Sequence, residues 1–213
     1  MKKSFLSIAA ALAASPALAG DEGSRTLEVQ DFSAIEISGA YELEVKVGGD
    51  YSVTLSGSAK ELDGAAVSVR DGALLLGPKR RAHRDKGGSR GETLRAVVTM
   101  PALDRLSVSG VVDARVEGVD AGLFKVNLSG VGEVDITGRC KRMDARVSGV
   151  GELDAKGLEC AEAEVALSGM GEAAVFARDW AKAEVSGMGE INIYGSPKRI
   201  EKRGGFFAEI NVH

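Results

Sequence analysis

Three features of this chain point to an all-β, single-domain parallel β-solenoid (β-helix) with coils of about 18–20 residues. The pattern Ser-Gly-x-Gly-Glu recurs at residues 129–133, 148–152, 168–172 and 186–190, with a looser copy at 109–113, so its serines lie 20, 19, 20 and 18 residues apart. Apolar and polar residues alternate on both sides of each serine, the period of a strand with one buried face. Glycine is abundant, 28 of 213 residues, while aromatics make up only 5%. That composition suits a narrow β structure with frequent tight corners.

Residues 1–19 are expected to be a cleavable export signal: Lys2 and Lys3 precede an apolar run over 5–14, and Ala17-Leu18-Ala19 supplies small residues before Gly20. Removing them leaves 213 − 19 = 194 residues with a formal charge of 25 − 31 = −6. This balance argues against nucleic acid or anionic membrane as a general partner. No later stretch approaches the roughly 20 consecutive apolar residues of a membrane span. The expected setting is therefore exported: periplasm, cell surface or secreted.

Residues 20–31 form a polar lead, and the solenoid domain runs over 32–213. Residues 32–37 alternate as a strand, and 38–45 reproduce the serine-glycine corner and the strand after it. Further strands are expected at 51–55 and 67–76, with a tight hairpin turn at Asp71-Gly72. Residues 78–91 break the pattern into a basic loop. Its cations Lys79, Arg80, Arg81, Arg84, Lys86 and Arg90 suit an anion such as an acidic polysaccharide or a lipid phosphate, or simply keep the loop solvated.

The strand pattern resumes at 94–98, and the coils run regularly from Leu103. Before each serine the inward positions are Phe124, Val126, Leu128; Met143, Ala145, Val147; Ala163, Val165, Leu167; and Ala181, Ala183, Val185. After each corner they are Val134, Ile136; Leu153, Ala155; Ala173, Val175; and Ile191, Ile193. A second corner falls at Gly118, Gly138, Gly157 and Gly195. Outward residues Lys125, Asp144, Glu164 and Lys182 fall in one column, where opposite charges tune register. In the last coil 205–212 aligns with 186–193, but Phe206 and Ala208 replace the corner glycines. Phe206 and Phe207 are expected to cap the open core or to form an exposed patch for end-to-end self-association. Trp180 reads as packing at a coil edge.

Cys140 and Cys160 each lie eight residues before a repeat serine, so they occupy one position in successive coils. Parallel strands about 4.8 Å apart fall within the reach of a disulfide. In an exported protein an intercoil disulfide is one reading; two small apolar residues stacked in the wall is the other.

Asp113, Glu133, Glu152, Glu172, Glu190 and Glu209 form a column of one carboxylate per coil. Stacked like charges repel, and calcium held by Glu133, Glu152, Glu172 and Glu190 would relieve this. A solvated edge, or hydrogen bonds from serine or backbone donors at the corner, would also do so. Catalysis has little support: His83 and His213 have no partnered nucleophile, and no zinc, Walker or dinucleotide spacing occurs. A carboxylate pair along the column would match glycosidic-bond cleavage by distance, yet it follows the repeat instead of forming an irregular cluster. No cofactor is expected, and no enzyme activity.

The Ser-Gly-x-Gly-Glu corners, the strand at 97–103 and the segment 193–197, Ile-Tyr-Gly-Ser-Pro, together resemble the putative auto-transporter adhesin head GIN domain, a bacterial family of unknown function. The likeness spans about residues 32–212. It implies an exported parallel β-solenoid with an adhesin-like role and brings no catalytic residues. The expected function is non-enzymatic binding of an envelope or host glycan, or of a surface protein. A polysaccharide-processing enzyme and a self-associating structural envelope protein are the alternatives.

Overall fold

A computed structural model describes residues 22–79 and 93–213. The expected export signal lies outside these residues, as does most of the basic loop. The elements in chain order are β1 (Glu22–Leu27), β2 (Ala34–Ile37), β3 (Ala40–Val47), β4 (Ser52–Ser58), helix α1 (Ala59–Gly64), β5 (Ala65–Arg70), β6 (Ala73–Pro78) and β7 (Leu94–Met100). They continue as β8 (Arg105–Val108), β9 (Val111–Leu128), β10 (Val131–Val147), β11 (Val150–Leu167), β12 (Met170–Val185), β13 (Met188–Tyr194), β14 (Arg199–Gly204) and β15 (Ala208–Val212).

From β8 onward the chain winds as the repeat requires, and about five turns of parallel solenoid result. Each of β9 to β12 runs along one long side, crosses a short side and returns along the other long side to the next serine, with a glycine at the bend in β9 (Gly118), β10 (Gly138) and β11 (Gly157) but none in β12. The bends show as register shifts between Asp135 and Gly138 and between Ala155 and Glu159. Strands β9, β10, β11, β12, β13 and β15 stack in parallel on one long side, while β14 stacks on the second half of β12. Repeat positions face their equivalents: Glu133 opposes Glu152, which opposes Glu172, then Glu190, then Glu209.

The inward columns named from the sequence are buried, from Phe124, Val126 and Leu128 to Ile191 and Ile193. Burying each such Val, Leu, Ile or Phe stabilises the fold by about 1.5–3 kcal/mol. Slipping a coil by one residue would turn its whole set outward, so the same columns fix register. The serine-glycine corner is held by backbone bonds between coils: Ser129 N–H donates to Val108 O at 2.9 Å and Val131 N–H to Gly110 O at 2.9 Å. The Ser129 hydroxyl adds a bond to Val108 O at 3.2 Å. At the next corner a Cβ on Gly149 would overlap the carbonyl oxygen of Gly130, so backbone meets backbone with no room for a side chain.

The N-terminal end departs from a simple continuation of the repeat. β6 stacks parallel on β2, and β7 parallel on β3, so β6 and β7 form the outermost parallel strands although β2 and β3 precede them in the chain. The end is then closed by antiparallel strands, β4 on β7, β1 on β4 and β5 on β6. The expected hairpin turn at Asp71-Gly72 joins β5 to β6, with positive φ at both residues (51° and 73°). Two local elements add to this plan. The polar lead contributes β1, because its backbone completes the edge of β4. Among the described residues there is also one helix, α1, whose Ser58 hydroxyl caps the Glu61 N–H while the Glu61 carboxylate accepts from Ser58 N–H at 3.0 Å.

At the other end, β14 and β15 have no strand on their outer edges among the described residues. Phe206 and Phe207 do not cap the core there. They are 96% and 70% exposed, in edge-to-face contact with each other.

Candidate binding groove

Residues two before each ladder carboxylate share its outward parity, and this places a second column beside the first. Val131 opposes Val111 and Val150, Val150 opposes Met170, and Met170 opposes Met188. In the next coil the register puts Phe207 at the position of Met188. All are exposed, and of the nine large apolar side chains exposed among the described residues, seven lie on this line or at its end: Val111, Val131, Val150, Met170, Met188, Phe206 and Phe207. The column was legible as a Val or Met at a position where an outward strand residue would ordinarily be polar. A lone valine or methionine at such a position is ordinary in a strand, so only the coil-to-coil register reveals the column.

Between the two columns run Gly132, Gly151, Gly171 and Gly189, whose missing side chains leave a backbone floor. A Cβ on Gly151 would strike the carbonyl oxygen of Gly132, so close stacking of the coils forbids filling this floor. The result is an open groove of about 1240 Å³ running across the strands. Its walls are Val131, Val150 and Met170 of the apolar column and the carboxylate column, with Phe206 and Phe207 at the C-terminal end. The volume exceeds the roughly 300–1,000 Å³ of a small-molecule pocket, and the groove is open along its length.

The carboxylate wall is electrostatically bare. Thirteen ion pairs occur among the described residues, and none includes Asp113, Glu133, Glu152, Glu172, Glu190 or Glu209. Partial burial between its neighbouring rungs, then the charges of Glu133 and Glu172, hold the Glu152 carboxyl above the usual carboxylate range. Near the C-terminal end, Asn192 donates to Glu172 at 2.7 Å and Asn211 to Glu190 at 2.8 Å. The Ser109 and Ser129 hydroxyls donate to backbone carbonyls, those of Ile37 and Val108, instead of to the ladder. Among the described residues no three His, Cys, Asp or Glu side chains converge on a metal position. Glu133, Glu152, Glu172 and Glu190 stand in a line, one oxygen pair per coil, where calcium takes six to eight oxygens.

The remaining candidates lie elsewhere. Cys140 and Cys160 form an intercoil disulfide across the short side, with Cα atoms 4.5 Å apart. In the other outward column Lys182 bonds Glu164 at 2.7 Å, and this contact first, with Arg142 adding to it, keeps the Glu164 carboxyl below its ordinary range. Trp180 lies between the Arg142 and Arg199 guanidiniums and donates its indole N–H to Glu201 at 3.1 Å. Of the basic loop's cations only Lys79 is described; Arg80, Arg81, Arg84, Lys86 and Arg90 lie outside the described residues. No helix among the described residues is long and apolar enough to cross a membrane.

Fold and face together define a class: a parallel β-solenoid that presents unbroken ladders of one residue type along a long side. The chain belongs to the putative auto-transporter adhesin, head GIN domain family, whose model matches residues 31–197. A putative adhesin from Bacteroides fragilis NCTC 9343 is similar in structure, with a TM-score of 0.71 and 21% identity over 90% of this chain and 97% of that one. Another, from Parabacteroides merdae ATCC 43184, has a TM-score of 0.51 and 15% identity over 91% and 97%. No curated protein matches the chain.

Proposed function

We infer that this protein is an exported, non-enzymatic binding module of the bacterial envelope or surface, adhesin-like as its family's description suggests, and that the groove is its contact face. One observation carries this reading: among the described residues, seven of the nine exposed large apolar side chains gather on a single line or at its end, beside six carboxylates that form no ion pair there. Scattered apolar residues on a surface need no explanation, but a continuous line of them points to a contact surface. The coil-to-coil hydrogen bonds hold this line rigid, so little ordering cost accompanies binding.

The test presents the purified protein to envelope and host glycans and surface proteins, with free sugar ends monitored. Binding without new sugar ends, lost when Val150 and Met170 are both changed to serine, is the expected result. New sugar ends would overturn the non-enzymatic reading. Binding indifferent to the two serines would overturn the groove as its site.

A second reading, self-association, is favoured by the bare outer edges of β14 and β15 beside exposed Phe206 and Phe207. It requires a particle size that rises with protein concentration in light scattering and falls back in Phe206→Ser/Phe207→Ser.

A further inference from the structure

We propose that the groove seats a basic amphipathic α-helix of about 16 residues from a partner polypeptide, its apolar stripe on the Val and Met rungs and its Lys or Arg stripe on the carboxylate rungs. The proposal rests on the groove being the contact face and names what fills it.

Length, pitch and charge each bear on the occupant. Six carboxylate rungs, Asp113 to Glu209, span five coil spacings of about 4.8 Å, or about 24 Å, which a helix rising about 1.5 Å per residue covers in about 16 residues. Each helical turn advances about 5.4 Å, so the mismatch is about 0.6 Å per rung and about 3 Å over the groove. Flexible lysine and arginine stems absorb that drift. An extended peptide repeats on one side only every 6.8 Å or so and slips about 2 Å per rung, losing register after two rungs.

The two walls lie two residues apart along each strand, about 6.8 Å, so the occupant's stripes must be side by side. On a helix, successive residues are about 100° apart, and an apolar residue followed directly by a cation in each turn supplies that arrangement. Charge sets the sign. Six carboxylates without a cationic partner among the described residues attract a polycation and repel nucleic acid or an anionic lipid surface. Met170, unbranched and polarizable, lets the apolar wall adapt to side chains of differing shape.

The probe is a synthetic 16-residue peptide with leucine and lysine in those adjacent stripes, followed by fluorescence anisotropy and circular dichroism with the purified protein. Saturable binding is expected, with gain of helix, weakening as salt rises from about 0.15 to about 1 M. Glu133→Gln/Glu152→Gln/Glu172→Gln should weaken it about tenfold, the loss of three exposed ion pairs. Val150→Ser/Met170→Ser should weaken it by a similar factor. Each of the following overturns the proposal: no binding, binding without helix, equal binding of a leucine-glutamate counterpart, or equal binding of a peptide with the same lysines but serine for leucine. If the peptide fails while a glycan or surface-protein ligand is still lost in the serine variant, the contact face stands and the helical occupant falls. If that ligand is also indifferent, the contact face falls too.

Discussion

Glu152→Gln should make the protein more stable, because it removes the central charge of a ladder that has no counterions within reach among the described residues. Glu133 and Glu172 flank it in register, one coil away on either side. Two unit charges at about 4.8 Å repel by roughly 0.9 kcal/mol in bulk water, and screening at physiological salt about halves this. With two neighbours, the expected gain is about 0.5–1 kcal/mol, or roughly 2 °C in midpoint temperature for a chain of this size. The pH dependence has a defined sign. Partial burial and the flanking charges raise the Glu152 carboxyl in the folded state, so the folded protein holds this proton more tightly than the unfolded chain does. The wild type therefore loses stability relative to the variant as pH rises through the carboxylate range. Urea unfolding near pH 7 should separate the two, while near pH 3, where the carboxyl is protonated in both states, the midpoints should converge. About 1 M salt should close the gap at pH 7. A variant less stable than wild type, or a gain unchanged by both acid and salt, would refute the repulsive ladder.

Three further outcomes follow from the packing. Reducing the Cys140–Cys160 disulfide, or changing both to serine, should cost about 3 kcal/mol through a 20-residue separation, read as a lower urea midpoint in the presence of reductant. Phe124→Ala, at a fully buried position, should cost about 3–5 kcal/mol by the same assay and loosen the coil around it, seen as faster amide exchange in β9 and β10. Gly149→Ala should destabilise by about 1–3 kcal/mol even though alanine is small, because its Cβ meets the Gly130 carbonyl; Lys141→Ala, on the exposed short side, should change little.

The regular coils were legible because two periods coincide in them: alternation sets the inward face and the serine-glycine corner sets the coil length. Val134, Ile136, Met143 and Val147 could therefore be assigned to the core without knowing their neighbours. The N-terminal end was not legible in the same way. Nothing local in residues 73–78 says that they stack outside residues 34–37, since strand order is decided by which edge remains free. Helix α1 carried a local signal, Ser58 followed by Glu61, but six residues with no buried side chain leave no apolar period to read. For Phe206 and Phe207 the sequence left a lid and an exposed patch both open, because aromatics at a solenoid end suit either, and the chain turns them outward between β14 and β15. The groove was half legible: the glutamates stood out against the repeat, while valine and methionine beside them passed as ordinary strand residues.

The inverted strand order at the N-terminal end has a kinetic consequence. β2 and β3 are made before either of their neighbours on the two sides, β6 and β7 below and β8 and β9 above. They cannot serve as a foundation on which later coils are laid one by one. Strands β1 to β7 must instead close upon one another as one cooperative unit, bringing distant segments together before the rest has a template. Once that unit exists, each later coil needs only the one before it, and growth toward β15 can proceed rung by rung. The slow step of folding therefore belongs to the irregular end, and the repeat that dominates the sequence contributes the fast one.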